Sequence, residues 1–132
     1  MKKKLLLKIL STLLISCNLF AVPASANTWH KSIGYNGDSI TWYMYDDNGE
    51  GINGWYQENG EWYYFDYGTA ATGLRTIDGK DYYFDRVTCQ MKHDQYVKTY
   101  EYSAVLSYAE SDGHINYDNF TFDDTINKST WH

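Results

Sequence analysis

A short block dominated by aromatic side chains recurs three times along the chain at nearly equal spacing. It reads WYMYD at residues 42–46, WYYFD at 62–66 and DYYFD at 81–85. A glycine stands eight residues before each block, and these glycines are 20 and 19 residues apart. A period of about 20 residues is typical of repeat proteins in which each unit buries its apolar face against its neighbours. The period therefore predicts a stacked array of small units.

Each unit carries the signal of a β-hairpin. Asn59-Gly60 and Asp78-Gly79 separate aromatic or apolar runs, and such pairs favour two-residue hairpin turns because both residues accept positive φ. The corresponding Asn36-Gly37 of the first unit falls three positions too early. No window shows sustained helical periodicity. We therefore predict an all-β fold, a short β-solenoid of stacked aromatic-rich hairpins over residues 32–108, without a helix longer than two turns.

The aromatic block has more aromatic surface than one buried face requires. Because side chains alternate along a strand, Trp62 and Tyr64 should share one face, with Tyr63 and Phe65 on the other. The chain has 24 aromatic residues, and 23 of them follow residue 26. Either both faces are buried, or one face is core and the other contacts a ligand.

The segment from Ile52 to Asp85 resembles the choline-binding, or cell-wall-binding, repeats of Gram-positive surface proteins, which are related to glucan-binding and clostridial-toxin repeats. The resemblance implies a solenoid that holds ligands between consecutive hairpins in aromatic cages. Carried onto this chain, it implies one cage of Trp55, Trp62 and Tyr83. It implies a second cage of Tyr35, Trp42 and Tyr64. The next equivalent positions are Leu74 and Asp81, so a third cage should be lost.

The rest of the chain gives no indication of catalysis. Residues 34–53, 54–72 and 73–95 form the predicted repeats, and residues 96–132, with one or two further strands, are too few for a catalytic domain and read as a degenerate cap. The histidines have no metal-ligand spacing, and the acidic turn at Asp46 lacks the bidentate Glu of a calcium loop. We expect a binding module without metal or cofactor, for choline-bearing teichoic acid or a surface glycan. The alternative is a secreted protein-interaction protein or repeat fragment whose aromatics are purely structural.

Residues 1–26 have the pattern of a secretory signal peptide, with four lysines, an apolar run and a small-residue cleavage site ending at Ala26. A lipobox ending at Cys17 is the alternative. Cleavage after Ala26 leaves 7 basic and 17 acidic residues, a formal charge of −10. This charge disfavours nucleic acid and anionic membranes as partners. We expect a secreted or cell-surface protein without membrane insertion after cleavage. Cys89 would then have no internal partner, and a dimer through Cys89 is open.

Overall fold

The computed structural model describes residues 27–125, and in this range it contains ten β-strands and no helix. No helix of this range could therefore span a membrane. The predicted leader, including Cys17, lies outside the described residues. The all-β prediction is confirmed. The strands are β1 Thr28–Ile33, β2 Ile40–Tyr45, β3 Gly54–Glu58, β4 Glu61–Asp66, β5 Thr69–Ala70, β6 Gly73–Ile77, β7 Lys80–Phe84, β8 Gln95–Val97, β9 Val105–Ala109 and β10 Ile115–Phe122.

The strands form three sheets that follow one another along the chain. The first has five strands in the order β1-β2-β5-β4-β3, the second is the β6–β7 hairpin, and the third has the order β10-β9-β8. Every paired set of strands is antiparallel. The architecture is thus a row of hairpins, β1–β2, β3–β4 and β6–β7, followed by a three-stranded C-terminal sheet.

The two hairpin turns expected from the sequence form as predicted. Asn59 and Gly60 have φ of 53° and 84°, and Asp78 and Gly79 have φ of 50° and 77°. Positive φ at both central residues gives the turn the twist that matches two antiparallel strands. The turns align Glu58 with Glu61 and Ile77 with Lys80.

The first hairpin is longer than the repeat pattern suggests. It starts at Thr28, and the six residues 34–39, including Gly34 and Tyr35, form its loop rather than a strand. Trp29 pairs with Met44, two residues beyond Trp42. In the next hairpin Trp55 pairs with Tyr64, two residues beyond Trp62. Trp29 is therefore the structural equivalent of Trp55.

The core consists of three apolar clusters, one for each step along the row. The first contains Met44, Tyr63, Phe65, Ala70 and Cys89; the second contains Ala71, Ile77, Phe84 and Met91; the third contains Val97, Ala109 and Ile115. Alternation along β4 sends Tyr63 and Phe65 into the first cluster and Tyr64 against the second. Continuous burial of this kind stabilises hairpins that would be marginal alone.

Cys89 lies in this core and not at the surface. Its side chain is fully buried, and burial raises the pKa of the thiol to about 11. Its backbone has a φ of 61°, a conformation in which glycine is more usual. A disulfide with a second chain would require this segment to open, so the structure gives no support to a dimer through Cys89.

The C-terminal segment contains three strands where one or two were expected. Strands β9 and β10 form a hairpin around a turn that contains Asp112 and Gly113, and β8 adds at the other side of β9. An isolated bridge between Tyr82 and His114 links this sheet to the last hairpin. Its apolar cluster packs against Leu74 and Tyr83.

Candidate functional site: aromatic seams between the hairpins

Two tryptophans of the β3–β4 hairpin form the walls of a groove that faces the next hairpin. The ring centroids of Trp55 and Trp62 are 6.2 Å apart at an interplanar angle of 88°. Tyr82 of β7 lies 4.9 Å from Trp55, and the fully buried Phe84 lies 5.9 Å from it. Trp55 and Trp62 remain 37% and 39% exposed, which is unusual for side chains of this size. We call the groove between Trp55, Trp62 and Tyr82 the second seam.

Strand register explains why these rings meet. Trp55 lies opposite Tyr64, so Trp62, two residues earlier on β4, is its diagonal neighbour on the same face. Diagonal pairs on one face are within reach of large aromatic side chains. Tyr82 and Phe84 share a face of β7 by the same alternation, and this face points towards Trp55.

The rim of the second seam comes from the C-terminal part of the chain. Met91, His93 and Asp112 line the groove, which encloses about 490 Å³. The Met91 amide donates to the Trp62 carbonyl over 2.8 Å, which ties this loop to the hairpin. A hydrogen bond from the His114 side chain lowers the pKa of Asp112, and Lys80 forms an ion pair with this carboxylate over 3.6 Å.

An equivalent groove, the first seam, lies one hairpin earlier between Trp29, Trp42 and Tyr63. The centroids of Trp29 and Trp42 are 6.0 Å apart at 89°, and Tyr63 lies 5.1 Å from Trp29. Phe65 lies 5.3 Å from Trp29, in the place that Phe84 occupies in the second seam. The four rings therefore repeat with nearly the same geometry. This groove also encloses about 490 Å³.

The indoles of the first seam are fixed by hydrogen bonds. Trp29 Nε1 donates to Oε2 of Glu58 over 2.8 Å, and Trp42 Nε1 donates to the Val87 carbonyl over 3.0 Å. Glu58, Val87 and Thr88 complete the lining. The ammonium of Lys31 lies 5.6 Å from the Trp42 ring centroid. A carboxylate and an ammonium are thus both close to this seam.

Asp85 positions the loop that closes the first seam. Its Oδ1 accepts hydrogen bonds from the amides of Val87 and Thr88 over 2.8 and 2.9 Å. Lys92 pairs with its other oxygen over 3.0 Å. The Thr88 amide, the Lys92 ammonium and the Val87 amide together hold the pKa of Asp85 well below its usual range. The loop therefore depends on an ionised carboxylate.

The junction between β6–β7 and the C-terminal sheet, which we call the third junction, has no groove walled by indoles of the described residues. Asp81 occupies the place of the second-strand tryptophan and accepts hydrogen bonds from Thr76 Oγ1 and Tyr117 Oη, each over 2.6 Å. These bonds lower the pKa of Asp81. Burial and the Asp81 charge raise the pKa of Tyr117. Leu74, in the place of Trp55, packs into the third apolar cluster.

Comparison with known proteins agrees with this arrangement. The family model described as putative cell wall binding repeat matches residues 53–67 and 72–86. The chain carries cell wall binding repeats. The matched segments contain β3–β4 and β6–β7, so the second seam lies between two recognised repeats.

Two solved structures of one repeat protein have a similar fold. A structure of CbpF in complex with ipratropium is 30% identical over 69% of this chain and 30% of that chain, with a TM-score of 0.54. Choline binding protein F from Streptococcus pneumoniae, in the presence of a peptidoglycan analogue (tetrasaccharide-pentapeptide), is 31% identical over 69% of this chain and 27% of that chain, with a TM-score of 0.52. The chain thus spans less than a third of these relatives. No curated protein matches it.

The cell wall binding repeats bring together Trp55 and Trp62 as expected, but not Tyr83. Tyr83 is on the opposite face of β7, where it packs with Leu74 and lines a separate groove with Arg86, Lys98 and Glu101. The third ring of the second seam is the preceding residue, Tyr82.

The other expected cage does not assemble. Tyr35 is fully exposed in the loop of the first hairpin, and Tyr64 packs against Trp55 in the second seam. Trp42 does line a groove, but its partners are Trp29 and Tyr63. Sequence reasoning missed Trp29 because it precedes Trp42 by 13 residues, whereas Trp55 precedes Trp62 by seven. Of the six extra residues, four lie in the longer hairpin loop and two lengthen the strands by one pair, and allowing for them would have aligned the two tryptophan pairs.

Proposed function

We propose that the chain is a non-catalytic module that attaches to cell-envelope polymer by binding choline groups of teichoic acid, or a glycan, in the first and second seams. The observation that carries the proposal is the repeated set of three aromatic rings around a groove, in which both tryptophans are at least partly exposed and the tyrosine is partly exposed in the second seam and buried in the first. Trp55, Trp62 and Tyr82 form one set, and Trp29 and Trp42 with Tyr63 form the other.

Aromatic walls at right angles suit a quaternary ammonium. The trimethylammonium group of choline is cationic yet has no N–H donor, so ring faces can solvate it without a hydrogen-bonding partner. Each ring contributes about 0.5 to 2 kcal/mol, so three rings give roughly 2 to 5 kcal/mol. This corresponds to a Kd for one free choline between about 30 mM and about 0.2 mM. The acidic surface adds attraction for a cation and none for a neutral sugar.

Attachment to a surface would then depend on both seams at once. Linked sites on one polymer raise the apparent affinity through effective concentration, without any new contact. The two seams within residues 27–125 give a modest gain. The family match and the relative named choline binding protein F support a surface ligand of this class. The expected leader at residues 1–26 supports export to the place where such polymers lie.

Retention of the chain on choline-, glucan- and peptidoglycan-bearing matrices, measured in parallel, tests the proposal. We expect retention on choline and elution by free choline but not by 3,3-dimethylbutan-1-ol, its uncharged analogue. The variant Trp42→Ala/Trp62→Ala should lose retention, and Tyr35→Ala, which alters an exposed tyrosine outside both seams, should keep it. Retention on the glucan matrix alone would mean that the seams bind a sugar stacked on the rings, and not choline. No retention on any matrix would favour the interaction module with structural aromatics.

A further inference from the structure

The two seams have matching rings but differ at one position of their walls. Glu58 is the last residue of β3 and lines the first seam. Ile77 is the last residue of β6, in the corresponding position of the next hairpin, and it is buried in the apolar cluster beneath the second seam. One seam therefore has a carboxylate where the other has an aliphatic side chain.

Two donors hold the Glu58 carboxylate in place. Trp29 Nε1 donates to Oε2 over 2.8 Å, and the hydroxyl of Tyr56 donates to Oε1 over 3.3 Å. The nearby charge of Glu58 also contributes to the raised pKa of Tyr56, after the larger effect of burial. Among residues 27–125 no ion pair includes Glu58, and Lys31 is directed at the Trp42 ring instead. A carboxylate has about four acceptor positions, so Glu58 can accept further hydrogen bonds.

A carboxylate beside three rings distinguishes between kinds of ammonium. A quaternary ammonium offers only methyl groups to Glu58. A protonated primary, secondary or tertiary amine can direct an N–H at the carboxylate and place its alkyl groups against the rings. Such charge-assisted hydrogen bonds are about twice as strong as neutral ones. The second seam has a carboxylate on its rim, Asp112, but Lys80 and His114 already bind its two oxygens, so it offers less to an N–H of a ligand than Glu58 does.

We propose that the first seam is a site for protonated amines that carry at least one N–H, with Glu58 as the residue that determines this specificity. The second seam is the quaternary ammonium site. This inference rests on the proposed function, because it assumes that the rings of both seams bind cations. The two seams would then bind two different kinds of ammonium group on one polymer.

The test compares three probes of nearly equal shape: choline, N,N-dimethylethanolamine in its protonated form, and the neutral 3,3-dimethylbutan-1-ol. Assigned indole N–H resonances of Trp29 and Trp42 report on the first seam, and those of Trp55 and Trp62 report on the second. At the first seam we expect N,N-dimethylethanolamine to bind about tenfold more tightly than choline, equivalent to about 1.4 kcal/mol. At the second seam choline should bind at least as tightly as the amine.

Two matched variants test whether the charge of Glu58 causes the preference of the first seam for the amine. Glu58→Gln keeps an oxygen acceptor for the Trp29 indole and removes the charge, so the amine-to-choline ratio at the first seam should fall to about one. Glu61→Gln removes the same charge from the residue that pairs with Glu58 across the turn, and the ratio should not change.

Several results would overturn the inference. Choline binding as tightly as the amine at the first seam does so, as does a ratio that survives Glu58→Gln. If Glu58→Gln does not fold, the ratios at the two seams of the unaltered chain decide by themselves. Absence of binding by every ammonium probe at both seams would instead overturn the proposed function.

Discussion

The β3–β4 hairpin faces its neighbour through two partly exposed tryptophans, whereas β6–β7 faces the C-terminal sheet through Leu74 and Asp81. The backbone of the two hairpins is the same. Gly54 pairs with Phe65 and Gly73 with Phe84, and each turn has two residues of positive φ. The second seam is nevertheless a groove walled by two tryptophans, whereas within residues 27–125 the third junction has no tryptophan wall and a smaller groove beside Tyr83.

The difference shows that the fold and the groove have separate determinants. The β3–β4 and β6–β7 hairpins share their buried rings, Phe65 and Phe84, their two-residue turns and their strand register, and these features build the fold. Two outward positions, which face the next element of the row, differ between these hairpins. They hold Trp55 and Trp62 in β3–β4, and Leu74 and Asp81 in β6–β7. These two positions decide whether the next element leaves a groove or packs tightly. At the third junction Tyr117 hydrogen-bonds the carboxylate that replaces an indole, and Leu74 joins the core beyond it.

The strongest test of this separation is the removal of a ring that both regions need. Phe84 is fully buried below the second seam and belongs to the hairpin of the third junction. Phe84→Ala should lower the free energy of unfolding by about 3 to 5 kcal/mol, since it leaves a cavity in the core. Urea denaturation followed by circular dichroism measures the loss. Phe122→Ala, at an exposed site near the end of β10, is the control and should change the stability little; equal effects of the two variants would contradict the argument.

The second prediction concerns the affinity for ligand and not the stability of the fold. Tyr82→Ala removes the third ring of the second seam and should weaken choline binding there by about 3- to 30-fold, from the loss of one cation–π contact. Tyr83→Ala, one residue later on the other face, should leave choline affinity unchanged and reduce stability through the third apolar cluster. Titration of choline against the indole resonances of Trp55 and Trp62 separates the two. An effect of Tyr83 on binding with none from Tyr82 would restore the cage that the family resemblance implies.

Tyr82 and Tyr83 also show how much of the fold and the site could be predicted from the sequence. Asn59-Gly60 predicts its turn because the requirement for positive φ is local. The family resemblance implied the pairing of Trp55 with Trp62, and the two-residue turn that fixes their register accounts for it. Alternation places Tyr82 with Phe84 and apart from Tyr83, but it does not say which face meets the preceding hairpin. Trp29 could not be placed without the length of its loop, and the joining of Val87 to Trp42 depends on tertiary packing.

A third prediction concerns the loop that follows the β6–β7 hairpin and closes the first seam. Asp85→Asn should lower the free energy of unfolding at neutral pH by about 1 to 2 kcal/mol, because hydrogen bonds to a charged acceptor are lost. It should also weaken ligand binding in the first seam and leave the second unchanged. Asp47→Asn, at an exposed turn position, is the control.

The pH dependence of the same variant has a definite sign. The pKa of Asp85 is depressed in the folded state, so its stabilisation is complete above the unfolded pKa of about 3.9 and is lost as the pH falls below it. The difference in stability between the unaltered chain and Asp85→Asn should therefore shrink in acid. A difference that stays constant from neutral pH into strong acid would exclude the carboxylate as its source.

The smallest effect on stability is expected from the hydrogen bond between Tyr117 and Asp81 at the third junction. Tyr117→Phe removes the hydroxyl that donates to Asp81 but leaves the bond from Thr76. Because Tyr117 is 46% exposed, the loss should be near the lower end of the usual 0.5 to 1.5 kcal/mol for a hydrogen bond.

Alkaline pH gives this variant a second readout. The pKa of Tyr117 is raised in the folded state, so its contribution is present below the unfolded value of about 10 and is lost as the pH rises above it. The unaltered chain should lose stability there more steeply than Tyr117→Phe, as measured by denaturation at pH 8 and above pH 10. The variant should gain no choline site, because the rings that would form one are replaced by Leu74 and Asp81. Choline binding at the third junction of Tyr117→Phe would mean that the tyrosine blocks a groove, and that the two outward positions do not decide where grooves form.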